Sequence, residues 1–162
     1  MKPDRFLVAT LVVIGLLVLL SLGLFFVRQI GQGYGPEDTP QGVVRNYVLA
    51  LEKEDYPRAY QMLSDVPGKP DYDRFLQAFL THQLEPRSAA VVIQNSTETV
   101  DGVVVTLVLI QGDAGPLSEP YRQPTTAFLT RNRSGSWKIE RLPYPFWGWD
   151  WYPTPAPVKP SP

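Results

Sequence analysis

The sequence predicts an α+β domain, with about three helices packed on an antiparallel sheet of about four strands, standing behind an N-terminal transmembrane helix. Three observations carry that prediction. Phe6–Val27 is a run of 22 residues without a charge. Between residues 39 and 82 apolar side chains recur at helical spacing, and from Ser88 onward they gather into short runs rich in β-branched residues. Val103–Ile110 is apolar at every position except Thr106, as expected of a central strand covered on both faces.

As a helix the first run would be about 33 Å long, enough for a hydrocarbon core of about 30 Å. A cleaved secretory signal has a shorter apolar region closed by small residues. Here Ser21 and Gly23 are followed at once by Leu24, Phe25 and Phe26, so an uncleaved anchor is expected over residues 1–28. Lys2 and Arg5 precede the run and Arg28 alone follows it, which predicts a cytoplasmic amino terminus and an extracytoplasmic domain. Residues 29–38 hold three glycines and a proline between Gly31 and Pro36 and read as a flexible linker.

The domain is expected over residues 39–142. Thr39 and Pro40 form an N-cap and first helical position, and Val43, Val44, Tyr47, Val48 and Leu51 make one apolar stripe. Pro57 starts a second short helix with Ala59, Tyr60 and Leu63 facing inward. After the breakers Pro67, Gly68 and Pro70, Asp71 caps a third helix through about His82, with Phe75, Leu76, Phe79 and Leu80 as its buried face. Strands follow at Ser88–Gln94 and Val103–Ile110, joined through Asp101-Gly102. After a loop over Gly112–Pro120 come Thr125–Thr130 and Trp137–Leu142, joined through residues 132–136. Pro124 cannot donate to a ladder and marks the start of the third strand or a bulge.

The order Thr39-Pro40-Gln41-Gly42-Val43-Val44, Tyr47–Leu51, Asp55-Tyr56, Ala59-Tyr60, Leu63-Ser64 and the closing Ser136-Trp137-Lys138-Ile139 resembles the nuclear transport factor 2-like superfamily, with its cystatin-like fold. It is most similar to small membrane-anchored or lipoprotein members of bacteria, over about residues 39–142. The resemblance implies a curved sheet wrapped over a long helix with a cone-shaped cavity between, lined here by Tyr47, Tyr60, Phe79 and Trp137. Enzymes, ligand carriers and interaction modules share the fold, so it implies no single function. Many members dimerise through the sheet, which makes a homodimer an expectation of the resemblance.

Composition narrows the chemistry. The chain has no cysteine, so disulfides, thiolate metal sites and cysteine nucleophiles are excluded. The net charge is −1; residues 1–33 hold three of the 15 basic and one of the 16 acidic residues, leaving 12 against 15, or −3. No basic footprint for nucleic acid exists in such a chain. His82, the one histidine, reads as a surface residue at a helix end rather than a general base. Asp71 and Asp73 suit a helix start better than a metal. Tyr47, Tyr60 and Tyr121 are the tyrosines that a hydrolyase- or isomerase-like cone would use, without matching any catalytic motif residue by residue. Asn95-Ser96-Thr97 and Asn132-Arg133-Ser134 are sequons that read as turn residues. No catalytic residue, cofactor or metal is therefore expected.

Residues 143–162 form an aromatic and proline-rich tail, with Tyr144, Phe146, Trp147, Trp149, Trp151 and Tyr152 within nine positions. These aromatics either fold back on the domain, lie in a membrane interface or dock on a protein partner. The remainder, from Pro153, is expected to be disordered. The reading as a whole is a membrane-anchored, extracytoplasmic, non-catalytic binding or accessory module, for an envelope or membrane protein or an apolar small ligand in the cone.

Overall fold

A computed structural model describes residues 5–30, 33–112 and 120–152; on the first helix the side chains described are those of residues 10–23. The predicted segment from Pro153 and most of the predicted loop between Gly112 and Pro120 lie outside the described residues. The chain divides into two compact units, Met1–Tyr34 and Gly35–Pro162.

The first unit contains α1 (Arg5–Ile30). Among the described residues no helix is long and apolar enough to cross a membrane. The expected transmembrane anchor is corrected on this ground. So are the single-pass membrane location, the cytoplasmic amino terminus and the extracytoplasmic placement that rested on it.

The second unit is α+β. Its helices are α2 (Pro40–Glu52), α3 (Tyr56–Gln61) and α4 (Tyr72–Leu80), and its strands β1 (Ala89–Glu98), β2 (Val103–Gln111), β3 (Tyr121–Arg131) and β4 (Trp137–Arg141). The strands form one antiparallel meander in the order β1-β2-β3-β4. Residues 62–64 extend it on the β4 side through a parallel bridge between Leu63 and Ile139.

Capping explains where the helices begin. Thr39 accepts from the Gly42 amide at 3.1 Å, with Pro40 in the first turn; Asp55 and Asp71 cap α3 and α4 in the same way. The α2 stripe is buried as expected, with Val44 and Tyr47 fully enclosed. The linker's second half belongs to the fold: buried Asn46 donates to the Gly35 carbonyl at 2.7 Å and accepts from its amide at 2.9 Å, and Glu37 meets Arg58 at 2.7 Å.

Three expectations shift. The buried face of α4 is Phe75, Ala78 and Phe79, while Leu80 is 55% exposed, because the helix stops there and the chain turns away at His82. β1 and β3 are both longer than their apolar runs. Pro124 lies inside β3 opposite Val108; β4 pairs β3 only from Phe128 to Arg131, so the missing amide falls where no β4 residue needs it.

On the helix side of the sheet Val103, Val105, Leu107 and Leu109 of β2 join Ala127, Leu129 and Ile139 in the core. The other face of β2, with Val104, Thr106, Val108 and Ile110, is half-buried. Gly102 closes the β1–β2 hairpin where the backbone comes so near that a Cβ would stand 2.3 Å from the Leu129 carbonyl.

Candidate functional site

The chain after β4 folds back. Leu142 is buried, and two turns follow, closed by the Phe146 amide on the Pro143 carbonyl at 3.0 Å and the Trp151 amide on the Gly148 carbonyl at 3.2 Å. Gly148 is required at the second turn: a Cβ there would lie 2.5 Å from Trp151 Nε1. The segment is fastened at both ends. Tyr47 donates its hydroxyl to the Phe146 carbonyl at 3.0 Å, and the Tyr152 amide donates to the Gly68 carbonyl at 3.0 Å. The Tyr152 hydroxyl donates to the Ser64 carbonyl, and Asp150 pairs with Arg74 of α4.

The predicted tail and cone residues prove to be largely one cluster. Phe146, Trp147 and Trp151 are buried, as are Tyr47, Phe75 and Phe79. Trp151 stands 5.3 Å from Phe75, 6.2 Å from Phe79 and 5.2 Å from Trp147, ring centre to ring centre. Trp147 in turn stacks on Tyr152 at 5.5 Å and tilts against Tyr47 at 6.2 Å. Tyr60, half-buried, meets Phe75 edge-on at 5.3 Å and donates to the Pro70 carbonyl at 2.9 Å. Offset and edge-on geometries of this kind add to plain area burial.

Burial sets the ionisation of the phenols in this cluster. It holds Tyr47 well above its ordinary value, with nearby Tyr152 adding to the effect. Tyr152 is raised as well, first by burial and then by Asp65 and Glu140. Both are hydrogen-bond donors to backbone carbonyls, a role that needs the proton.

Two tail residues point the other way: Trp149 is 88% exposed and Tyr144 61% exposed. Trp137 is also apart from the cluster. It is half-buried on β4 with the Arg131 guanidinium 4.2 Å above its ring. There it lines a polar groove of about 540 Å³ together with Glu37, Arg58 and Lys138. Tyr121, at 64% exposed, lies outside the core, and Asp71 is a helix cap with Asp73 in the first turn behind it. His82 is exposed at the end of α4. Asn132 accepts from the Ser134 and Ser136 amides and so organises the β3–β4 turn.

Sequence reasoning missed the two residues around which the tail closes, Phe75 as its central contact and Gly148 as its tight turn. Phe75 was legible only as a core position, and the glycine signal needs Trp151 to be placed first. Comparison with models of known families finds no match, and neither the curated proteins nor the solved structures compared with the chain give one.

Proposed function

We propose that the chain is a non-catalytic interaction module of the nuclear transport factor 2-like kind, whose cone is occupied by its own C-terminal segment. The observation that carries this reading is the division of labour within that segment. Phe146, Trp147 and Trp151 are buried, with Trp147 against Tyr47 of α2 and Trp151 against Phe75 and Phe79 of α4, while Trp149 between them is held out at 88% exposed. A large indole kept in water on a fastened turn favours a protein partner, since tryptophan is prominent among residues that anchor interfaces. Tyr47 and Tyr60, the tyrosines available to an enzyme of this shape, have their hydroxyls on the Phe146 and Pro70 carbonyls.

The test is capture by the full chain from its source cells, comparing wild type with Trp149→Ala. The expected outcome is a protein retained by wild type and lost from the variant, with the two melting within about a degree, as for exposed substitutions generally. Equal retention by Trp149→Ala and by Tyr144→Ala would remove the basis for the reading.

A further inference from the structure

A second concavity is lined by residues at and just after the ends of α2 and α4. It is a cleft of about 400 Å³, within the size range of small-molecule sites. Leu51, Phe79 and Leu84 form an apolar floor, each no more than 5% exposed. Tyr56 is stacked on Phe79 at 5.5 Å and makes one wall. Glu54, Glu85, Arg87 and His82 make the rim.

The backbone at this rim is unusual. Glu54 and His82 have φ of 59° and 58°, the left-handed region that favours glycine or asparagine. Each follows a helix end and closes a three-residue turn: the Glu54 amide reaches the Leu51 carbonyl at 3.1 Å, and the His82 amide reaches the Phe79 carbonyl at 3.2 Å. Glycine would serve both turns at lower conformational cost. Two long polar side chains stand there instead, and both border the same cleft.

Charge selects the ligand. Glu54 and Glu85 are carboxylates; Arg87 sits 2.9 Å from Glu54 and also donates to the Glu52 carbonyl at 3.0 Å, and the His82 imidazole is 3.6 Å from Glu85. Two carboxylates outweigh one guanidinium, and the C-terminal ends of α2 and α4 add partial negative charge. The phenol of Tyr56 responds to this field: burial raises its pKa first and Glu54 raises it further, against the opposing Arg87. We propose that this cleft binds a small organic ammonium ion carried on a flat apolar body, the ring lying against Tyr56 and the cation held beside Glu54 and Glu85.

The experiment uses the full chain and three matched probes: phenethylammonium, the neutral 2-phenylethanol and the anionic phenylacetate. His82 is the one histidine, so its ring resonances report on this rim without ambiguity. Saturable shifts of those resonances are expected with the ammonium ion, about three- to fivefold weaker binding with the alcohol, and none with the anion. Glu54→Asn suits the left-handed backbone better and should raise Tm by a few degrees while weakening the ammonium ion about three- to fivefold. Glu85→Gln, at an ordinary backbone position, should weaken it similarly with Tm unchanged. Equal affinity for ion and alcohol, no saturable shift, or unweakened binding by both folded variants would overturn the assignment.

Discussion

Trp151→Ala separates a tail that holds the domain together from one that merely lies on it. The indole is 4% exposed, with Phe75, Phe79 and Trp147 around it. A buried tryptophan removes roughly 150–250 Å² from water, worth about 4–6 kcal/mol at about 25 cal/mol per Å². Because the walls relax only in part, the measured cost of such truncations is about 3–5 kcal/mol. Against a total stability of about 5–15 kcal/mol this is a large fraction. For a unit of roughly 120 residues it corresponds to a Tm lower by about 10–20 °C. Urea titration followed by far-UV circular dichroism provides the measurement, with Trp149→Ala as its internal control. That residue has the same chemistry two positions away but is 88% exposed, so the expected change is within about 0.5 kcal/mol. If the two variants lose similar stability, or if Trp151→Ala loses less than about 1 kcal/mol, the segment is not part of the core.

Three further outcomes follow from the same cluster. Tyr47→Phe removes the donor to the Phe146 carbonyl and should cost about 1–3 kcal/mol by chemical denaturation, the penalty of a buried acceptor left alone. Gly148→Ala sets a methyl group 2.5 Å from Trp151 Nε1, and displacing that ring should cost about 1–3 kcal/mol with a matching change in near-UV dichroism. Tyr47 and Tyr152 have folded pKa values raised above the ordinary 10.0, so their contribution is complete below that pH and is lost as pH rises through it toward the folded values. Absorbance at 295 nm should therefore show at least two of the eight tyrosines ionising only together with unfolding, and Tyr47→Phe should blunt the alkaline loss of stability.

The helices were legible because their signals are local. A cap, a proline in the first turn and a stripe at 3.6-residue spacing place α2 from sequence alone, although Asn46 beneath Gly35, Leu49 and Ala50 are buried outside that stripe. α4 was misread at its end, where Leu80 looks like the next rung of the stripe. The left-handed turn at His82 ends the helix there, and histidine does not announce such a turn as glycine would. Pro124 was misplaced for a non-local reason: whether a strand tolerates it depends on how far its neighbour extends, and β4 is short. The tail was the least legible part. Phe146, Trp147 and Trp151 go in while Tyr144 and Trp149 stay out, an alternation with neither helical nor strand period, set by two turns and by ring contacts with Tyr47, Phe75 and Phe79. Trp137 carried the same composition signal and ended on a polar groove instead.

The way the tail is fastened bears on what Trp149 can do. An exposed indole on a free tail would lose conformational freedom on binding, at about 0.5–1.5 kcal/mol per immobilised side chain and more for its backbone. Here the backbone on either side is already fixed, by the buried rings of Trp147 and Trp151 and by the Asp150–Arg74 pair on α4. A partner of the proposed kind would therefore meet a turn whose ordering cost was met during folding of the domain. Stability and recognition are coupled in one direction: loosening Trp151 should weaken capture through Trp149, whereas removing Trp149 should leave the core intact. A free surface patch would show no such asymmetry.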